Sequence, residues 1–84
     1  MILTLLGQPD CGLCHEMHEV VAPVAAALGL TLVERDVRED PELKRRYALE
    51  IPVLLAGEVE VVRHRTTADQ VRRRLAELLT NPDH

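Results

Sequence analysis

Tryptophan and phenylalanine are absent from this sequence, and tyrosine occurs once, at Tyr47. That shortage excludes an aromatic platform for stacking bases or sugars, and it leaves a core of Leu, Val and Ala. A basic excess is missing too: 10 Lys and Arg stand against 14 Asp and Glu, a formal net charge of −4. General affinity for nucleic acid needs the opposite balance. No apolar run is long enough to cross a membrane. The one at the start, Met1–Gly7, is also too short for a signal peptide and has no basic leader before it. The expected setting is therefore the cytoplasm, with neither a nucleic-acid nor a membrane partner. Cysteine is scarce, 2 in 84 residues. In a reducing compartment a permanent structural disulfide is disfavoured, which leaves catalysis, redox sensing or metal binding for the pair.

What is present is one modest core's worth of chain, read as a single domain over residues 1–84. Residues 1–6 are short and apolar, are bounded by Gly7 and Pro9, and predict a buried strand. Gly7-Gln8-Pro9-Asp10 predicts a turn. The period then changes: Leu13, Met17, Val20, Val21, Val24 and Leu28 recur every three or four positions. This stripe predicts a helix from Cys11 or Gly12 to Gly29, kinked at Pro23. Strand character returns over Leu30–Val37. Asp40-Pro41-Glu42 reads as an acidic cap, a proline at the first helical position and a carboxylate facing the helix dipole, so a short helix should run to about Tyr47. Ile51–Leu55 and Val59–His64 predict strands joined across Ala56-Gly57-Glu58. Thr67 and Gln70 have capping-box spacing before a last helix carrying Val71, Leu75, Leu78 and Leu79 and ended by Asn81-Pro82.

The element order is then β-α-β-α-β-β-α. A right-handed β-α-β crossover makes the first two strands parallel, and the hairpin makes the last two antiparallel. The fold class is α/β, a four-stranded mixed sheet flanked by helices. Both cysteines fall where the first strand hands over to the first helix, the edge at which open α/β sheets place their sites.

Position suggests chemistry. The thiolate is the reactive form of cysteine, and a helix N-terminus stabilises it through free N–H groups and the helix dipole. Cys11 stands at that terminus and is the candidate nucleophile. Cys14 lies one turn inward, within disulfide reach, and is the candidate resolving thiol. Gly12 keeps the loop permissive and open to an approaching substrate.

Pro9-Asp10-Cys11-Gly12-Leu13-Cys14, Asp40-Pro41-Glu42-Leu43 and Tyr47-Ala48-Leu49-Glu50-Ile51-Pro52-Val53-Leu54 together resemble the glutaredoxin-like branch of the thioredoxin superfamily, a small bacterial family of unknown function. The resemblance spans essentially the whole chain. It implies a thioredoxin fold and a monomeric thiol–disulfide oxidoreductase with Cys11 and Cys14 as catalytic residues. It further implies a cis Pro52 facing the cysteine pair and the Ile51 backbone offered to a substrate, with Gly12 and Leu13 at the same site. The partner implied is a disulfide-bearing protein or glutathione, the latter as co-substrate, with no other cofactor and no metal. Asp69, at the entry to the last helix, matches the residue that meets the glutathione amine in that family. The pair encloses Gly12-Leu13 where related enzymes carry Pro-Tyr or Gly-Pro. Asp10 sets a carboxylate beside Cys11, Gln8 stands where a basic residue is common, and Thr66-Thr67-Ala68-Asp69 lacks the family's two glycines.

Other readings of the same residues exist. Cys11-Gly12-Leu13-Cys14-His15 spells the attachment pattern of c-type haem, but that needs export and a largely helical fold. Cys11, Cys14, His15 and His18 together suit zinc, or an iron–sulfur centre shared across a dimer, yet no second cluster follows them and His64 and His84 are isolated. A plainer view makes His15 and His18 a solvent-facing pair. The plainest makes the whole chain a non-catalytic adaptor with inert thiols. Arg63, Arg65, Arg72, Arg73 and Arg74 read as a solvated face balancing Glu58, Glu60, Asp69 and Glu77, and Tyr47 as packing beneath the second helix.

Overall fold

The computed structural model describes residues 1–80; the Asn81-Pro82 helix stop lies outside the described residues. Strand β1 (Ile2–Gly7) leads to helix α1 (Gly12–Leu28), strand β2 (Thr31–Asp36), helix α2 (Pro41–Tyr47), the hairpin β3 (Val53–Ala56) and β4 (Val59–Arg63), and helix α3 (Ala68–Thr80). The four strands form one mixed sheet in the order β2-β1-β3-β4. β1 runs parallel to β2 and antiparallel to β3, and β3 runs antiparallel to β4. This is the α/β architecture that the element order required.

Alternation along β1 divides the core. Leu3 and Leu5 turn to one face and pack with Met17, Val21 and Val24 of α1, Leu54 of β3, and Val71 and Leu75 of α3. Leu6 turns to the other face and meets Val37 and Val53, with Leu43, Tyr47 and Ile51 packed around them. Tyr47 therefore does sit against the second helix's small core. Each fully buried Leu or Val contributes about 2 kcal/mol by leaving water. The larger core has no aromatic side chain, and Tyr47 is confined to the smaller one.

The local signals act as side-chain caps. Asp40 Oδ1 accepts from the Glu42 N–H at 2.8 Å, with Pro41 at the first helical position. Thr67 Oγ1 accepts from the Gln70 N–H at 3.2 Å while Gln70 Oε1 accepts from the Thr67 N–H at 3.2 Å, closing a reciprocal capping box. Gly29 ends α1 at φ 69°, its N–H bonded to the Ala26 carbonyl and that of Leu30 to the Ala25 carbonyl. Gly29→Ala places a Cβ on that left-handed backbone, and we expect a loss of about 1 kcal/mol. Urea unfolding checks it, as a lower midpoint at unchanged slope.

Several boundaries differ from the sequence expectation, each for a visible reason. β2 stops at Asp36, not Val37, because the Asp36 carboxylate accepts from the Arg38 N–H at 2.9 Å and starts a 3-10 turn over Val37–Glu39. β3 begins at Val53 rather than Ile51, since Ile51–Pro52 is a cis peptide and proline has no N–H for the ladder. β4 ends at Arg63, because His64 takes φ 61° and turns the chain away. Pro23 stands exposed inside α1, which continues through it as one helix.

Candidate functional site

β1 delivers the chain to the cysteines at the C-terminal end of a central strand. The Cys11 N–H bonds to the Gln8 carbonyl at 3.2 Å, closing the turn, and the His15 N–H bonds to the Cys11 carbonyl at 3.2 Å, opening α1. Cys11 is the N-cap residue, with extended backbone (φ −103°, ψ 110°). Its Sγ accepts from the Cys14 N–H at 3.1 Å, filling the place usually held by a capping oxygen. The two cysteines are joined as a disulfide, their Cα atoms 5.2 Å apart. Cys11 is half-buried, whereas Cys14 is only 6% exposed. The sulfur nearer solvent is thus the one at the helix terminus, where a thiolate is favoured.

Gly7 is a functional position that pattern reading treated only as a turn former. A Cβ there would lie 2.9 Å from Cys14 Sγ and 3.0 Å from Cys14 Cβ. The missing side chain is what lets the cysteine loop fold back onto the end of β1. A glycine closing an otherwise apolar buried strand is the sequence signal for this, and it points to close approach as much as to a turn. Gly12 behaves differently from its expected role: it is the first residue of α1, exposed, and nothing lies within 4 Å of where its Cβ would be. The loop needs no glycine there.

The remaining expected site residues separate into two groups. Leu6 pairs with Val53 in the ladder, so one step further the register sets buried, cis Pro52 beside Gly7, at the same sheet end as the cysteines. The Pro52 carbonyl accepts from the His64 N–H at 2.7 Å. Ile51 packs into the smaller core with Leu43 and Tyr47. Leu13 rims a groove of about 460 Å³ that runs between Met17 and Val20 of α1 and the His64–Thr66 segment. Asp69 falls outside this cluster: exposed in the first turn of α3, it accepts from Arg72 Nη1 at 2.8 Å and does not line this groove.

On the β2 side of the disulfide a cleft of about 410 Å³ reaches Cys14, with His15 and Asp36 on its walls; Asp69 has no part in it either. His15 Nε2 lies 2.8 Å from the Pro9 carbonyl oxygen, and His18 Nε2 lies 3.6 Å from Glu34 Oε1. Among the described residues no group of three or more His, Cys, Asp or Glu stands together to hold a metal ion. Cys11, Cys14, His15 and His18 thus do not form the cluster a zinc site requires. No helix among the described residues is long and apolar enough to cross a membrane.

Asp36, at the end of β2 beside the site, is paired. Arg38 grips Asp36 through Nε at 3.1 Å to each carboxylate oxygen and Nη2 at 2.7 Å. Its side-chain hydrogen bonds hold the Asp36 carboxyl below the usual carboxylate range, and Asp36 in turn raises Arg38. Arg63 bonds to Glu60 and, at 2.8 Å, to Glu50, and lowers the Glu60 carboxyl in the same way. Arg72 pairs with Asp69 and Arg74 with Glu77, while Arg65 faces Glu16 on α1 at 3.9 Å instead of a carboxylate of its own face. Both shifted carboxyls are depressed, so their contribution is complete above the unfolded-state value and is lost as pH falls through the folded one. The urea midpoint should be insensitive to these groups near neutrality and drop below about pH 4. The double variant Asp36→Asn, Glu60→Gln should show a shallower acid fall; an unchanged fall would contradict this.

A family model described as Glutaredoxin-like domain (DUF836) matches residues 2–76. Among solved structures, target protein XcR50 from X. campestris is 27% identical, with a TM-score of 0.74 over 88% of this chain and 95% of that one. Thioredoxin 1 from the thermophilic eubacterium Thermosipho africanus TCF52B is 18% identical, with a TM-score of 0.69 over 100% of both chains. A mutant thioredoxin from Halobacterium salinarum NRC-1 is 22% identical, with a TM-score of 0.57 over 93% of this chain and 72% of that one. The two thioredoxin likenesses bear on the fold alone. No curated protein matches the sequence.

Proposed function

Because this chain belongs to the glutaredoxin-like (DUF836) family of the thioredoxin superfamily, we propose that it is a thiol–disulfide oxidoreductase working through Cys11 and Cys14. The observation that carries this reading is the arrangement of the pair: a half-buried sulfur at the α1 N-cap bonded to a buried one a turn inward. In the reduced form the Cys11 thiolate attacks a substrate disulfide, forming a Cys11–substrate bond and releasing one substrate thiol. Cys14 then attacks Cys11 Sγ, releasing the second substrate thiol and leaving the internal disulfide. Two electrons pass from the dithiol to the substrate, and an external thiol restores the pair.

Leu13, Ile51 and Pro52 would border the incoming chain, with Gly12 leaving room for it. The partner is a disulfide-bearing protein or glutathione, with glutathione the candidate reductant; no resident cofactor or metal takes part. Asp69 is the weakest member of the set, being already engaged by Arg72. Such a cycle suits a monomer in the cytoplasm, where a thiol pool keeps the dithiol reduced. It calls for neither nucleic acid nor a membrane.

Dithiothreitol-driven reduction of insulin tests the reaction. The protein in catalytic amount should shorten the lag before precipitation, and added glutathione with a glutathione-mixed disulfide should show whether glutathione enters the cycle. Kinetics identical to dithiothreitol alone would remove the enzymatic reading and favour an inert adaptor.

A further inference from the structure

The resolving step sets a requirement that the two sulfurs do not meet alone. Cys14 is 6% exposed, and burial favours the neutral thiol. Before it can attack Cys11 Sγ it must lose a proton, and the proton needs somewhere to go. On the substrate side the mixed disulfide itself occupies the approach. Away from that approach, the cleft beside β2 opens onto Cys14.

The groups on that cleft's walls differ sharply as acceptors. Asp36 is Gly7's partner in the β1–β2 ladder and so lies next to the close approach of Cys14. Arg38 already occupies both of its oxygens, and a carboxyl held below its usual range is a poor match for a thiol proton. Glu34 is turned to His18 at 3.6 Å. Arg35 is a cation, facing Asp40 at 3.8 Å, and Glu39 is exposed at the rim. His15 is different. Its Nε2 meets the Pro9 carbonyl oxygen at 2.8 Å, and a carbonyl only accepts, so Nε2 carries the hydrogen and a neutral ring presents Nδ1 as an acceptor. Imidazole also exchanges protons near neutral pH, where such a step has to run.

We infer that His15 is the proton acceptor for Cys14 during resolution, working through solvent in the β2-side cleft, while the Pro9 carbonyl fixes its tautomer. The inference rests on the dithiol reading above. The Cys14 thiol gives its proton to His15 Nδ1 and its sulfur electron pair forms the bond to Cys11 Sγ. The Cys11–substrate bond breaks, and the substrate leaves as a thiolate. In the reverse direction imidazolium returns the proton to Cys14 as the internal disulfide opens. Glu34, Arg35, Asp36 and Glu39 are the charged side chains that share the cleft with His15.

The reaction of the reduced protein with 5,5′-dithiobis(2-nitrobenzoate) separates the two steps. Cys11 attack releases one equivalent of thionitrobenzoate at a rate that depends on reagent concentration, and Cys14 resolution then releases the second at a rate that does not. His15→Gln keeps an N–H donor for the Pro9 carbonyl but has no basic nitrogen. At pH 7 it should leave the first phase unchanged and slow the second at least roughly tenfold. The gap should close in alkali, where hydroxide takes the proton, and added imidazole should narrow it. Equal second phases across the pH range would overturn the role of His15 and leave the redox reading standing. Absence of the first phase in the unaltered protein would overturn both.

Discussion

Cys14→Ser protein mixed with a disulfide substrate should accumulate a covalent adduct on Cys11, while Cys11→Ser should accumulate none and exchange at the uncatalysed rate. The asymmetry follows from the position of each sulfur. Cys11 caps α1 and is the more exposed of the two; Cys14 is buried a turn inward, against the end of β1. Removing Cys11 removes the atom a substrate can reach. Removing Cys14 leaves attack intact and takes away the only neighbouring thiol able to release the product, so the mixed disulfide persists. Intact-mass measurement reads both outcomes directly. Equal adduct yields from the two variants would mean that the sulfurs are interchangeable and that burial does not order them. Turnover surviving in Cys11→Ser would remove the mechanism altogether.

The second large effect is structural and falls on a residue without a side chain. Gly7→Ala puts a carbon 2.9 Å from Cys14 Sγ, a separation that real contacts do not sustain. Neither side yields easily: Gly7 is held by ladders on β1, and Cys14 by the first turn of α1. Overpacking of this kind costs about 1–3 kcal/mol. In a domain of this size that lowers Tm by roughly 5–20 °C. Gly12→Ala is the matched control, because its Cβ meets nothing and the position is helical. It should cost nothing and can gain a little from helix propensity. A Gly7→Ala melt within a degree or two of the unaltered protein would show that the cysteine loop shifts freely, against the tight packing at the end of β1.

The contrast between these two glycines shows what the sequence made legible. The change of period at Cys11, the Asp40-Pro41-Glu42 cap and the Thr67–Gln70 box are local signals read within one turn of chain, and each appears in the structure with the expected bonds. The directions of the β1–β2 pair and of the β3–β4 hairpin followed from connection rules, whereas the antiparallel β1–β3 pairing that orders the sheet did not. Long-range geometry was not legible. That Gly7 faces Cys14 and Gly12 faces solvent depends on how α1 folds back over β1. The early end of β2 depends on Asp36 bonding to its own chain at Arg38 instead of continuing the ladder. His15, read as one of a solvent-facing pair, is indeed exposed, but its ring is tied to Pro9, six residues back. Asp69 matched a family position, and the fold adds a bond from Arg72 Nη1 to its Oδ1 that the match did not contain. Spacing sets what a residue is able to reach; the folded chain decides which partner it meets.

The central claim is that Cys11 and Cys14 cycle between a dithiol and an internal disulfide. Equilibrating the protein across a series of glutathione redox buffers, quenching with acid and weighing the products tests it most directly. Two species differing by two hydrogens are expected, interconverting reversibly around one midpoint with a two-electron dependence. A chain that stays in one state across the whole series would contradict the claim.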